Sequence, residues 1–279
     1  MATRAASSIG KARSLLFVPA NRPDRFSKAL ASGADAVIID MEDAVATAAK
    51  AEARRGLVEW VLSAPERLAL LGVRVSSAFS RAGLDDLREL ASVAHLFDFI
   101  VLAKTESEAE ARLAAQHFGG VPLVCTVESA RGVANAGAIA GAHASVEALA
   151  LGGADMAADL RAEIGWEALF LARATIVNAA SSAGIAVLDM PFFNISDEAD
   201  LAAEALRVRA LGFTGKLAIH PAQVAVLNRA FSPTEAEIAK ARDLLQAVAA
   251  GSDAVRIDGE MIDEAVLRSA RRIVAMASP

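Results

Sequence analysis

Short apolar runs alternate with amphipathic stretches along most of this chain. The apolar, β-rich runs fall at residues 14–20, 36–42, 72–76, 99–104, 122–128, 148–155, 185–191 and 216–220. Short β-rich runs of that length between amphipathic stretches read as β-strands. Between them lie helical patterns. One is LDDLRELASVAH (84–95); another spans 198–211, with Leu201, Ala205, Val208 and Leu211 along one side. Eight strand–helix units predict an α/β chain folded as a (β/α)8 barrel. A doubly wound sheet more often places a Gly-rich turn after its first strand, and here Pro19-Ala20-Asn21-Arg22-Pro23 follows instead.

Nearly sixty residues remain after His220. Ser232 or Thr234 is positioned to cap a helix over 238–249, Gly251-Ser252-Asp253 breaks it, and Asp258-Gly259 marks a turn before a final helix from about Met261. The expected organisation is a barrel over 1–231 and a C-terminal helical extension over 232–279. Such an extension packs across its own barrel or on another subunit, as a lid or an oligomer segment.

Composition narrows the function. The chain has 279 residues, an apolar fraction of 54% and a net charge of −6 with no basic run, which disfavours nucleic acid as a partner. Two Trp and no Tyr leave little for stacking on bases. The longest charge-free stretch, 132–146, is too short and too weakly apolar to span a bilayer, so no membrane association is expected. The single cysteine, Cys125, cannot form an internal disulfide, and cytoplasm is the default location.

Barrel enzymes build their sites where the parallel strands end. Glu128 and Asp155 each close an apolar run, and two such carboxylates can hold a hard divalent cation with water and substrate in its other positions. Other polar residues collect near the runs: Arg13 at the first, Asp40, Glu42 and Asp43 at the second, and Arg74 in the third. Lys104 follows at the fourth, Asp189 in the seventh, and Lys216 with His220 around the eighth. Each has a structural alternative. Asp155 and Asp43 could cap helices, Lys50 or Arg54 could pair with Glu42, Lys104 could neutralise a buried acid, and His220 could be a satisfied core histidine before a helix start. Arg74, flanked by Val73 and Val75, would be a buried cation without an evident partner. A zinc ligand set, a phosphate loop and a Gly-x-Ser-x-Gly nucleophile elbow are all missing from the sequence.

Eight ordered segments carry a resemblance. They are RSLLFVPANRPDRF (13–26), ADAVIIDMEDAV (34–45), VRV (73–75), AKTES (103–107), VESARGV (127–133), LGGADMAADL (151–160), LGFTGKLAIHPAQVAVLNRAFSP (211–233) and DGEMID (258–263). The chain resembles the citrate lyase β-subunit-like group of the HpcH/HpaI aldolase family. The resemblance implies a TIM barrel binding Mg2+ through Glu128 and Asp155 and acting as a carbon–carbon lyase. The implied substrates are carboxylated 3-hydroxyacyl-CoA thioesters of the citryl-, malyl- or citramalyl-CoA class, and the products an acyl-CoA and a 2-oxo acid such as oxaloacetate. Arg74 is expected to stabilise the thioester enolate, with Arg13, Glu42, Asp43 and Lys104 as further substrate-binding neighbours. Asp263 matches the general acid/base that lyase relatives insert into a neighbouring subunit's site, which implies a homotrimer or a dimer of trimers.

Two departures limit the transfer. The aldolases of the family that cleave 4-hydroxy-2-oxo acids have a histidine base where this chain has Asp43. Relatives usually follow the strand-three arginine with Val-Asn or Ile-Asn, whereas here Arg74-Val75-Ser76 is followed by Ser77-Ala78-Phe79-Ser80. The alternatives are the β subunit of a citrate lyase complex acting on an acyl-carrier-bound citryl group, an acyl-CoA thioesterase variant, and a non-catalytic metabolite-binding assembly subunit.

Overall fold

The computed structural model describes residues 9–64, 66–249, 256–257, 260–261 and 263–277. Eight strands alternate with helical connections, the fifth and sixth of which hold two α-helices each. The first half runs β1 (Ser14–Pro19), α1 (Phe26–Leu30), β2 (Ala36–Asp40), α2 (Lys50–Leu62), β3 (Leu70–Val75), α3 (Arg81–Leu90), β4 (Phe99–Leu102) and α4 (Glu108–His117). The second half runs β5 (Leu123–Val127), α5 (Ala130–Ala134), α6 (Ala136–Ala140), β6 (Val146–Leu151), α7 (Gly153–Leu160), α8 (Trp166–Ala183), β7 (Ala186–Asp189), α9 (Glu198–Leu211), β8 (Gly215–Ala218) and α10 (Ala222–Phe231). Each strand pairs in parallel with the next, and β8 returns to β1, so the sheet is the closed (β/α)8 barrel that the pattern predicts.

All eight expected strands are present, and each apolar run overshoots the hydrogen-bonded ladder at its C-terminal end. Burial on both faces explains the legibility of the runs, because parallel strands here are packed by the interior on one side and by helices on the other. The interior is filled by alternate residues such as Leu15, Ile38, Phe99, Val101, Val124, Ala150 and Leu188. Phe99 occupies space that only Gly72 leaves open, since a Cβ there would lie 2.3 Å from the ring. At the N-terminal end, Ile9 and Ala12 join the same core.

The contacts divide the chain into two compact units, with the division after Asn228 inside α10. In the second unit α11 (Glu235–Ala249) packs on α12 (Glu264–Met276) through Ala241, Leu244, Leu267 and Ala270. Thr234 and Glu237 form a reciprocal capping box at the start of α11: Glu237 N–H donates to Thr234 Oγ1 at 3.2 Å, and Thr234 N–H to Glu237 Oε2 at 2.6 Å. The final helix begins at Glu264 rather than Met261. Met261 instead belongs to a two-residue strand, β10 (Glu260–Met261), paired antiparallel with β9 (Arg256–Ile257). The breaks expected at 251–253 and 258–259 lie outside the described residues. Among the described residues no helix is long and apolar enough to cross a membrane.

Candidate active site

Strand alternation delivers three charged side chains to the C-terminal mouth of the barrel. Asp40 continues the inward series of Ala36 and Ile38, Arg74 follows Leu70 and Gly72, and Glu128 follows Val124 and Thr126. A cavity of about 290 Å³ opens there, lined by Asp40, Asp43, Arg74, Glu128 and Asp155 on one side. Phe17, Leu217 and Ile219 contribute an apolar side.

Glu128 stands one residue past β5 and is 5% exposed. Its Oε1 accepts the Lys104 backbone N–H at 2.5 Å. Its Oε2 lies against Gly152, where a Cβ would come within 2.1 Å of it. Burial pushes the Glu128 carboxyl up to about 8, and the negative Asp155 adds to the shift, while the Lys104 N–H and Arg74 oppose it. Asp155 does not end a strand. β6 stops at Leu151, Gly152 is the helix N-cap, and Asp155 falls in the first turn of α7, where the helix dipole favours a carboxylate. Two oxygen-donor side chains thus face one cavity from adjacent segments. Among the described residues no group of three or more His, Cys, Asp or Glu forms a cage. Two facing carboxylates are a donor set for a hard cation whose remaining positions go to water and ligand oxygens. The residues fit Mg2+.

Arg74 is not the partnerless cation that its flanking valines suggest. Its Nε and one terminal nitrogen bond the two Asp40 oxygens at 2.7 and 2.6 Å, its other terminal nitrogen approaches Glu42 at 3.5 Å, and its guanidinium stacks over Phe17. Although burial alone would lower it, the Asp40 and Glu42 carboxylates hold the Arg74 pKa above its ordinary value. Asp40 also accepts the backbone N–H groups of Glu42 and Ala44, so one carboxylate fixes both the arginine and the turn beyond β2.

Lys104 has a left-handed backbone with φ of +52°, uncommon for a residue with a side chain. That conformation points its N–H at Glu128. Its ammonium reaches Glu42 at 2.6 Å, Asp43 at 3.3 Å and Asp155 at 3.9 Å. Glu42 is raised from the ordinary carboxylate value by burial and by Asp43, against the pull of Lys104 and Arg74. Lys50 does not pair with the Glu42 carboxylate. It donates to the carbonyls of Met41 and Glu42 at 2.5 and 2.6 Å, and Arg54 is engaged elsewhere, with Asp86. Ser76 is buried, its N–H held by Asp86 and its hydroxyl 3.4 Å from the Lys50 ammonium.

Three expectations require correction. Arg13 precedes β1, which puts it at the opposite, N-terminal mouth, where it forms a two-pronged pair with Asp35; it cannot bind a ligand in this cavity. Asp189 and Lys216 point outward into the helical layer. There they pair with each other at 2.5 Å and with Arg173 and Glu204 at 2.8 and 2.7 Å. His220 is exposed rather than buried, and its Nδ1 accepts the Ala222 N–H at the start of α10. Asp263 lies in the second unit, where it is exposed and caps α12 through the Val266 N–H at 3.0 Å.

Sequence reading passed over Asp40 as Arg74's partner, and it also passed over Gln223. The buried Gln223 accepts the N–H groups of Ile219 and His220 and donates to the Phe192 carbonyl, so it joins the loops after β7 and β8.

Residues 13–221 match the HpcH/HpaI aldolase/citrate lyase family. A citrate lyase subunit beta-like protein from Deinococcus radiodurans is 38% identical, covering 94% of this chain and 96% of that protein. The L-malyl-CoA/beta-methylmalyl-CoA lyase of Rhodobacter capsulatus is 33% identical over 95% of this chain and 94% of its own. Among solved structures, CitE from Mycobacterium tuberculosis, in complex with magnesium, acetoacetate and coenzyme A, superposes with a TM-score of 0.82. It is 32% identical and covers 96% of this chain and 98% of its own. The chain belongs to the HpcH/HpaI aldolase/citrate lyase family.

Proposed function

We propose that this protein is a Mg2+-dependent carbon–carbon lyase that cleaves a carboxylated 3-hydroxyacyl-CoA, of the citryl-, malyl- or citramalyl-CoA class, into an acyl-CoA and a 2-oxo acid. One observation carries the reading: Glu128, Asp155 and the Asp40-braced Arg74 line a single cavity at the C-terminal mouth. Family membership and lyase relatives support it.

Glu128 and Asp155 are the residues that would hold Mg2+, and the ion would polarise the substrate hydroxyl and the carbonyl that replaces it. Arg74 faces the thioester half. The substrate hydroxyl loses its proton to solvent water and becomes the carbonyl of the 2-oxo acid; as the carbon–carbon bond breaks, its electron pair moves onto the thioester as an enolate, and the guanidinium stabilises that charge. Asp40 keeps the guanidinium fork oriented before charge develops. Lys104 holds Glu42 and Asp43 at the rim and presents its backbone N–H to Glu128. Asp263 of a neighbouring copy supplies the proton that ends on the released acyl carbon, which requires an oligomer, taken here as a trimer or a dimer of trimers. The resemblance of the DGEMID segment and the exposure of Asp263 support this assignment.

Incubating the protein with Mg2+ and citryl-, malyl- or citramalyl-CoA in turn, with free thiol and 2-oxo acid measured separately, tests the reading. A 2-oxo acid released with the thioester intact supports lyase chemistry. Free thiol in step with the 2-oxo acid identifies a thioesterase, and no product from any of the three overturns the proposal.

A further inference from the structure

Two hydrogen bonds tie α7 to the end of β5. The first precedes Asp155 by three residues: the Gly152 N–H donates to the Val127 carbonyl at 3.1 Å. The second follows it by four: Asp159 Oδ2 accepts the Ala130 N–H at 2.7 Å. Asp155 and Asp159 are one helical turn apart and share a face of α7. Ala130 opens α5, so its N–H is one of the donors that a helix start leaves without an intrahelical partner. Glu128 lies between Val127 and Ala130. The two ties therefore bracket both carboxylates, one on each side of Glu128 between the end of β5 and the start of α5, and one on each side of Asp155 between the N-cap and the second turn of α7.

The brackets are unequal. Gly152 is a helix N-cap with no side chain of its own, and the buried Gly153, Met156 and Ala157 hold the face of α7 turned away from Asp155 and Asp159. Ser129 is fixed independently, through Glu106 at 2.6 Å and the Gly132 N–H, so the Ala130 N–H is presented from a held segment. The charge-assisted bond from Asp159 adds a restraint on the face of α7 that carries Asp155, against a shift that would take Asp155 away from Glu128.

We propose that Asp159 is a positioning residue that sets the separation of Glu128 and Asp155 without touching the cation they hold. The proposal rests on the reading of those two residues as the Mg2+ ligands. The Asp159→Ala and Asp159→Asn variants, titrated with Mg2+ by calorimetry in the absence of substrate, test it. Asn keeps an oxygen acceptor and loses the charge, so it separates geometry from long-range attraction. Asp159→Ala should raise the Mg2+ Kd about five- to tenfold, less than the full loss of a charge-assisted hydrogen bond would give, because the buried face of α7 still holds the helix. Asp159→Asn should stay within about twofold, and Tm of the metal-free protein should hardly move in either. Amide exchange in the metal-free protein supplies a readout without the ion: the Ala130 N–H should exchange faster in Asp159→Ala and not in Asp159→Asn. A folded Asp159→Ala protein that binds Mg2+ like the wild type would overturn the positioning role, as would equal weakening by Asn and Ala. Absence of Mg2+ binding by the wild type would instead bring down the ligand assignment beneath it.

Discussion

Asp40 and Arg74 stand opposite each other in the β2–β3 register and join through two parallel hydrogen bonds of 2.7 and 2.6 Å. Asp40 is 4% exposed and Arg74 14%, so the pair has little water to fall back on. Asp40→Asn should destabilise the fold by about 3 kcal/mol, the lower end for a broken buried pair, because Glu42 still faces the guanidinium. Arg74→Lys keeps the charge but loses the fork, and kcat should fall by roughly 10²–10³. A change confined to KM would mean uniform binding and remove Arg74 from the transition state.

Glu128→Gln and Asp155→Asn should each abolish turnover and measurable Mg2+ binding while leaving the circular dichroism spectrum intact. Neither change opens a cavity in the barrel core. Titration calorimetry with Mg2+ decides the matter, and unchanged affinity in both variants would defeat the ligand assignment.

The raised Glu128 carboxyl gives stability a pH dependence of definite sign. The folded metal-free protein holds this proton up to about 8, whereas the unfolded chain releases it near 4.5. Between those values the native state binds more protons, so this group's contribution to stability falls as pH rises through the window and is constant above it. Mg2+ requires the charged form, so binding at pH 7 should release close to one proton. Calorimetry in two buffers of different ionisation enthalpy counts that proton. Glu128→Gln should flatten this part of the metal-free stability profile, and a profile unaltered by the substitution would contradict the shift.

Gly152→Ala adds a single methyl group within 2.1 Å of Glu128 Oε2 and 2.5 Å of its Cβ. The carboxylate must move. Mg2+ affinity should drop at least tenfold in a protein that still folds, because the loop at the mouth can shift more easily than the barrel core. Wild-type affinity would show that the carboxylate has room elsewhere.

Asp263→Asn should lower turnover by roughly 10²–10⁴, the range for a general acid, with Mg2+ binding preserved. If the acid comes from a neighbouring copy, mixing Asp263→Asn with Glu128→Gln subunits should restore part of the activity. A monomer in solution, or no rescue in verified mixed oligomers, would sink the shared site.

The barrel could be read from the sequence because strands buried on both faces leave unbroken apolar runs, such as AVII at 36–39 before Asp40. The run ends were misread for a related reason. Glu42, Lys104 and Glu128 continue the strand pattern in sequence but lie beyond the last ladder pair, where the mouth begins. Asp155 was hidden by Gly152-Gly153, which reads as an extended chain although a helix starts there. Side-chain parity and chain direction account for the larger errors. Asp189 and Lys216 sit one residue off the inward series, and Arg13 lies before its strand instead of after it. No local pattern could reveal Asp40 as the partner of Arg74, since that pairing is made by the register of two strands thirty-four positions apart.

The left-handed backbone at Lys104 has a practical consequence for anyone evolving this enzyme toward heat resistance. A glycine relaxes that conformation, whereas a residue with a side chain loses roughly 1–2 kcal/mol there. Selection on folding alone would therefore favour removing the lysine, and would discard the ammonium that gathers Glu42, Asp43 and Asp155. Screens at this position need catalysis as the survival criterion, because thermal tolerance and a working site pull the same codon in opposite directions.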